Sequence, residues 1–398
     1  MSLLEGVRVI DFTTYAAGSA CGRVLADWKA DVIKVEPVTG DMFRDWGRLL
    51  GAPVKDDENP MWEINNANKR GLTLDLKTTE GQVIMARLLE DADIFLTNYR
   101  EKALVKLNLD YEKLSEKYPR LIYGFLDGYG SKGELAEQPG FDLISFWARG
   151  GFGGFFGDPD SPPLTPLPAI GDQITGTYLV SGLIAALIGR DLNDKGEKVE
   201  ISLYHAAIWS AGLFNATSNY WENPKKTRKV PDTPLINMFK ASDEKWFCTS
   251  IMEHERFWPG FCECIGRPDL IYNERYSQLR NARGHSEELT AILDEAFAKK
   301  TREEWMILFK KFDIPSGPIF NGHDVLKDNQ ALVNDYLRPV TFQNGNTVPL
   351  PTPPCHFVNE GFLKWEHAPQ IGEHSSEILS EIGYSEEEIA SFKSNSII

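Results

Sequence analysis

Val7-Arg8-Val9-Ile10 and Asp31-Val32-Ile33-Lys34-Val35 are two short β-rich runs whose spacing decides the fold. Between them lie a polar, small-residue stretch from Asp11 to Gly18 and a helix-like stretch from Ala20 to Trp28. Strand, loop, helix, strand is a βαβ unit, which implies a parallel sheet. The pattern recurs. Gly81 to Glu90 carries Val83, Ile84, Leu88 and Leu89 toward one face, and Asp93-Ile94-Phe95-Leu96-Thr97 follows as a strand. A helix through Leu114 to Lys117 ends at Tyr118-Pro119, and Leu121-Ile122-Tyr123-Gly124-Phe125 is the next strand. Such alternation predicts an open α/β domain.

Farther along, Gly150 to Pro168 is rich in Gly and Pro and reads as a long loop. Thr175 to Arg190 is apolar almost all round, the mark of a buried helix. Val199 to Leu203 reads as a strand and Tyr204 to Thr217 as a helix. The basic, proline-bearing stretch from Asn223 to Pro234 reads as a linker. Trp246 to Ile251 opens a smaller α+β domain with helices over Glu287 to Lys299 and Arg302 to Phe312. The expected division is residues 1–222 for the first part of the large domain, 223–330 for linker and small domain, and 331–398 for a return to the large domain.

The chain has 398 residues, of which 42% are hydrophobic and 25% charged, ordinary values for a globular protein. Its net charge of -16 argues against nonspecific nucleic-acid binding, which needs a basic footprint. A local basic pocket for an anionic ligand remains compatible with that total. Met1 to Arg8 has no basic leader and no long apolar run, so no secretory signal is expected. No stretch reaches the roughly 20 consecutive apolar residues of a membrane span. Five cysteines, an odd and sparse set, suit reduced thiols in a cytoplasm. Cys262-Glu263-Cys264 has the wrong spacing for a zinc knuckle, and no metal site is expected.

Asp172 stands where the Gly/Pro loop meets the buried helix. Helix-start N–H groups and the helix dipole favour an anion there and predict a low pKa. An ionised carboxylate in a partly dry cleft is what a carboxylate nucleophile requires. Asp is equally a preferred N-cap residue, and the residues alone leave both readings open. Asn65 to Lys77, and Asn98-Tyr99-Arg100 with Lys102 and Lys106, form two polar, basic clusters. The second follows a strand, where ligands of open α/β sheets bind. Each cluster fits either nucleotide phosphates or a solvated face. A G-x-G-x-x-G at the first turn and a P-loop are both absent, against a dinucleotide oxidoreductase and a P-loop NTPase. Gly128 to Gly133 fits a cleft wall or a plain turn, and Gly150 to Gly154 a mobile lid or an ordinary loop.

The ordered set of motifs resembles the class III CoA-transferases, the family of formyl-CoA transferase and carnitine CoA-transferase. Its carriers are Gly6 to Asp11, Ala30 to Pro37, Gly40-Asp41 with Arg44, and Asn68-Lys69-Arg70. Leu74 to Lys77, Ala92-Asp93-Ile94, Pro119 to Tyr123, and Gly171-Asp172 with Gly176 complete it. The resemblance implies an interlocked homodimer, each chain threaded through a hole in the other. It implies a Rossmann-like large domain built from both chain ends, with a smaller middle domain. Asp172 becomes the nucleophile of a CoA transfer that passes through an aspartyl-CoA thioester. Coenzyme A contacts fall on Tyr15, Ala16 and Ala17, on Leu74, Asp75, Leu76 and Lys77, on Asn98, Tyr99, Arg100 and Lys106, and on Pro139 to Asp142, with Phe141 and Asp142 foremost. Coenzyme A is then a substrate carrier, with no tightly bound cofactor.

Two departures narrow the resemblance. Formyl-CoA transferase has a glutamine where Ala16 stands, so backbone N–H groups near Ala16 and Ala17 must serve, and its small-domain glycine loop has no match near Thr249 to His254. The related α-methylacyl-CoA racemase has a histidine where Phe141 stands, which leaves that reading one base short; His205 and His254 are its alternatives by sequence. Lys102 to Lys106, the Gly128-Tyr129-Gly130 loop and Pro139 to Asp142 look most like the 2-hydroxyacyl branch, which serves amino-acid fermentation. Tyr15, Trp46, Phe152, Phe155 and Phe156 suit a branched or aryl acid such as (R)-2-hydroxyisocaproate or phenyllactate, or else belong to the core.

Overall fold

The computed structural model describes residues 3–222, 225, 227–361 and 364–398. Asn223, Pro224 and Lys226 of the expected linker lie outside the described residues. The chain forms two compact units. One comprises residues 1–154, 165–217 and 329–398; the other comprises 155–164 and 218–328.

The larger unit is built on six parallel strands: β1 (Arg8–Phe12), β2 (Asp31–Glu36), β3 (Arg70–Thr73), β4 (Ile94–Thr97), β5 (Ile122–Asp127) and β6 (Lys198–Ser202). Their spatial order is β3-β2-β1-β4-β5-β6, with all neighbours parallel. This is the doubly wound order, and the α/β expectation holds. Ile10, Ile33 and Phe95 are fully buried on one face, and Val9, Val32 and Ile94 on the other. Burial on both faces explains why the strands read as continuous apolar runs. Each such side chain contributes about 1.5–3 kcal/mol.

The helices that matter for the site are α1 (Ala17–Asp27), α2 (Pro60–Asn66), α3 (Thr79–Glu90), α4 (Glu101–Leu107), α5 (Tyr111–Lys117), α6 (Ile170–Asn193) and α7 (Leu203–Ser210). The C-terminal segment lies on the same unit: Ile378 and Leu379 join the core around Leu72, and Asp75 donates its N–H to the Ile397 carbonyl.

Several boundaries differ from the sequence reading. Strand β1 runs on through Asp11 and Phe12, because the Asp11 carboxylate is ion-paired inside the fold and can be buried. Helix α6 begins at Ile170 rather than Thr175, since Gly171 and Asp172 are helical. The helix over Tyr204 to Thr217 is two helices that meet at Ala211. Strand β3 lies within the basic cluster that sequence left as ligand site or solvated face.

The smaller unit holds an antiparallel sheet of β7 (Ile236–Lys240), β8 (Trp246–Ser250) and β9 (Ser316–Pro318). Helices α8 (His254–Cys264), α9 (Ser286–Phe297) and α10 (Arg302–Lys311) pack on it. Aromatic rings dominate this core: Phe297 lies 4.7 Å from Phe239, 5.0 Å from Phe247 and 5.1 Å from Trp305. A Thr301–Glu304 capping box starts α10.

Candidate active site

The strand order reverses between β1 and β4, and ligands of open α/β sheets bind beyond the carboxyl ends of strands at that crevice. The loop after β1 (Thr13 to Ala16) and the loop after β4 (Asn98 to Arg100) flank it. Asn98 ties them together: its Oδ1 accepts from the Thr14 N–H at 2.8 Å and its Nδ2 donates to the Thr14 carbonyl at 2.7 Å. A cavity of about 730 Å³ opens there, within the size range of small-molecule sites. Both loops, the Gly128 turn, the Pro139–Phe141 segment and Asp172 line it.

The first loop is held from beneath by a buried charge network. Lys34 on β2 donates to the Thr13 carbonyl at 2.7 Å and to Ser19 Oγ at 3.1 Å, and pairs with Asp41 Oδ2 at 3.0 Å. Lys69 pairs with Asp11 Oδ2 at 2.8 Å and donates to the Ser19 carbonyl at 2.8 Å. Asp41 Oδ1 accepts from the Tyr15 N–H at 3.2 Å. These bonds hold Tyr15 in the left-handed region, φ 58°, a conformation that a bulky residue keeps only when its surroundings enforce it. Burial pushes the Lys34 ammonium down, but Asp11, Asp41 and Glu36 override it and the net direction is up. Burial likewise opposes the Asp11 anion, and Lys69 and Lys34 bring it below the ordinary carboxylate range.

Asp172 lies in the first turn of α6, after Ala169 at φ 64°. The capping position belongs to Ala169, so Asp172 is not an N-cap. A Cβ on Gly176, one turn on, would come within 2.3 Å of the Ala17 carbonyl; its absence lets α6 lie against the start of α1. Asp172 therefore faces the same cavity as Ala16 and Ala17. The expected low pKa is not found. Burial, then the neighbouring Asp142 carboxylate, push Asp172 up to about 7. The reason is local: Asp142, not Asp172, takes the pull of the helix-start N–H groups of Ala169 and Gly171.

Of the residues singled out by sequence, Tyr15, Ala16, Ala17, Asn98, Tyr99, Arg100, Phe141 and Asp172 share this cavity. Asp142 lies just beneath its wall, 8% exposed. Leu74 and Leu76 belong to the hydrophobic core. Asp75 accepts from the Lys77 N–H at the start of α3, and Lys77 and Lys106 are exposed; none of these lines the cavity. Lys69 and Arg70 are neither phosphate contacts nor a solvated face: Lys69 is buried on Asp11, and Arg70 pairs with Asp31, Glu377 and Glu381. Of the five aromatics, only Tyr15 lines the cavity. Trp46 stacks on Phe43 and Phe152 on Phe146, while Phe155 and Phe156 belong to the smaller unit. The Gly150 to Gly154 stretch is anchored at one end, where a Cβ on Gly150 would meet Ala207 at 2.2 Å.

The Gly128 to Gly133 loop is a cleft wall, through Gly128, Ser131 and Lys132, and sequence reasoning missed Phe125, Leu126, Asp127, Lys198 and Leu203, which also line the cavity. Position at the carboxyl end of β5 was the signal for Asp127, whereas Lys198 opens β6 at its amino end and carried no such signal. Burial pushes Asp127 up to about 6, against the Gly130 N–H bonded to it at 2.6 Å. No histidine lines the cavity among the described residues. His254 is buried in the smaller unit with Nε2 2.7 Å from the Tyr276 carbonyl.

A doubly wound sheet with a carboxylate at a helix start inside its switch-point crevice is a scaffold for binding a small ligand and acting on it. The chain belongs to CoA-transferase family III, whose model matches residues 4–375. It is 37% identical over 396 residues to (R)-2-hydroxy-4-methylpentanoate CoA-transferase of Clostridioides difficile, covering 100% of this chain and 99% of that one. It is 36% identical over 393 residues to cinnamoyl-CoA:phenyllactate CoA-transferase of Clostridium sporogenes, covering 98% and 95%. Among solved structures, a CAIB/BAIF family protein from Brucella suis superposes with a TM-score of 0.84 at 28% identity, covering 96% of this chain and 99% of that one. No helix among the described residues is long and apolar enough to cross a membrane, and none of their His, Cys, Asp and Glu side chains group as a metal site.

Proposed function

We propose that this enzyme moves coenzyme A from an acyl-CoA to a free 2-hydroxy acid, with Asp172 as the covalent nucleophile. The observation that carries the reading is the half-buried Asp172 carboxylate, free of capping duty, opening into the 730 Å³ switch-point cavity. An Asp172 oxygen attacks the donor thioester carbonyl, the C–S bond breaks, and an aspartyl-acyl anhydride and CoA thiolate result. The thiolate attacks the aspartyl carbonyl, which releases the donor acid and leaves an aspartyl-CoA thioester. The acceptor carboxylate attacks that thioester and expels the thiolate, which then attacks the new anhydride on its acyl side. Product leaves and Asp172 is restored. The first turn of α1 supplies backbone N–H donors for the oxyanions, in place of a glutamine at Ala16. Arg100 and Lys132 are cationic walls suited to CoA phosphates, and Tyr15, Phe125, Leu126, Phe141 and Leu203 to an apolar acyl chain.

The two relatives named for 2-hydroxy acids support a branched aliphatic or aryl acceptor. An α-proton racemase needs a second base, and the cavity walls offer no histidine. The test is ATP-free incubation with acyl-CoA donors and 2-hydroxy acids, read by mass spectrometry. The expected result is 2-hydroxyisocaproyl-CoA or phenyllactyl-CoA with equal release of donor acid. Exchange of an α-hydrogen without any new CoA ester would sink the transfer reading.

The proposed working form is the interlocked homodimer in a cytoplasm, a setting that suits five unpaired cysteines. Large apolar side chains stand exposed on the larger unit, among them Leu192 at 80%, Trp209 at 74% and Leu213 at 85%. A partner chain that covered these side chains would remove their apolar surface from water. Light scattering is expected to give twice the 44.8 kDa chain mass, and a concentration-independent monomer would rule the dimer out.

A further inference from the structure

Asp142 opens a π-helical segment, Asp142–Arg149, a rare geometry that recurs at functional sites. Its Oδ1 is buried and makes no hydrogen bond of normal length and angle. The segment aims it at the start of α6: a Cβ on Gly171 would lie 2.2 Å from Asp142 Oδ1 and 2.3 Å from Phe146 Cγ. A side chain at Gly171 would thus displace the Asp142 carboxylate from the start of α6.

We propose that Asp142 is a positioning residue for Asp172, its buried carboxylate occupying the helix-start field so that the adjacent nucleophile is left under-stabilised and reactive. The inference rests on Asp172 being the nucleophile. Burial raises the Asp142 carboxyl, while the N–H groups of Ala169, Gly171 and Asp172 and the Trp147 side chain hold its anion. Asp142 is the charged neighbour that acts on Asp172. Arg149, on the same segment, lies over the Tyr204 ring at 5.6 Å, and the His205 backbone N–H donates to Ser202 Oγ, the N-cap of α7. The loop from Thr13 to Ala17 contributes no charge.

The chemistry gives this arrangement a purpose. When Asp172 attacks the thioester, its negative charge passes to the sulfur as the C–S bond breaks, and no proton moves. Two like charges in a poorly solvated corner become one. The repulsion is present before attack and relieved by it, so it lowers the barrier to the covalent intermediate.

The experiment follows the acyl adduct on the Asp172-containing peptide by mass spectrometry across pH 5 to 9, in wild type and Asp142→Asn. In wild type, adduct formation is expected to fall about tenfold per pH unit below about 7, because Asp172 must be ionised to attack. In Asp142→Asn that limb is expected about one unit lower, with a plateau at least about tenfold slower and KM for acyl-CoA unchanged. An unmoved limb and plateau would overturn the role, as would a rise in KM alone, the sign of a coenzyme A contact. A wild-type enzyme that turns over with no Asp172 adduct would overturn the nucleophile itself, and the positioning role with it. If Asp142→Asn does not fold, pH-difference infrared spectra of wild type and Asp172→Asn read the same coupling. The Asp142 carboxyl band is expected to titrate lower in Asp172→Asn, and an identical titration would refute the pairing.

Discussion

Asp172→Asn is expected to lower CoA transfer by at least about 10⁴-fold, the order seen when a covalent nucleophile is removed, with the binding of CoA retained. The amide fills the same space in the first turn of α6, so the effect is chemical and not structural. The same substitution is expected to raise the melting temperature at pH 8. The sign follows from the raised pKa. In the fold Asp172 titrates at about 7, against an ordinary 3.8. Its ionised form is therefore disfavoured by folding, fully above about pH 7, and the penalty disappears as pH falls toward 4. Asn carries no such penalty, so the gain in stability should be present at pH 8 and gone near pH 4. Turnover and stability moving in opposite directions is the signature of a group strained for its task. Residual turnover within tenfold of wild type would remove Asp172 from the reaction.

Lys34→Met is expected to cost about 3–5 kcal/mol of folding stability, the range for removing one partner of a buried ion pair. Lys34 is fully buried at the centre of β2, and its ammonium is the common partner of Asp41, Ser19 and the Thr13 carbonyl. Methionine matches the chain in volume but leaves the Asp41 carboxylate buried without its cation. That loss is a large part of the 5–15 kcal/mol typical of a whole domain. The first loop also loses its tether, so surviving turnover should fall even where the protein is folded. Urea unfolding gives the first quantity. Asp41→Asn in the Lys34→Met background should cost less than it does alone, because the pair shares one interaction. Additive losses would show that the two side chains do not act together.

Much of this was legible in the sequence because it depends on local pattern. Val9, Ile10, Val32, Ile33 and Ile94 announce parallel strands buried on both faces, and the intervening helical stretches fix the βαβ connection. The motif around Gly171, Asp172 and Gly176 singled out Asp172 as the proposed nucleophile through its family resemblance. Other features stayed open in the sequence for reasons that are physical. Lys69 and Arg70 look like phosphate ligands to any reading that cannot see Asp11, Asp31 and Glu381 beside them. Phe152 looks like a cavity aromatic until Phe146 is found stacked on it at 5.1 Å.

The sequence by itself determined the alternating architecture, the family and the carboxylate at the head of α6, since each is written in neighbouring residues. Only the tertiary structure decided what that carboxylate is. A helix start predicts a stabilised anion, and the fold delivers the opposite, because it brings Asp142 from a segment far back in the chain to the same N–H groups. Charge–charge and burial effects act through space with no regard for order along the chain, so the protonation of Asp172 belongs to the fold and not to the motif.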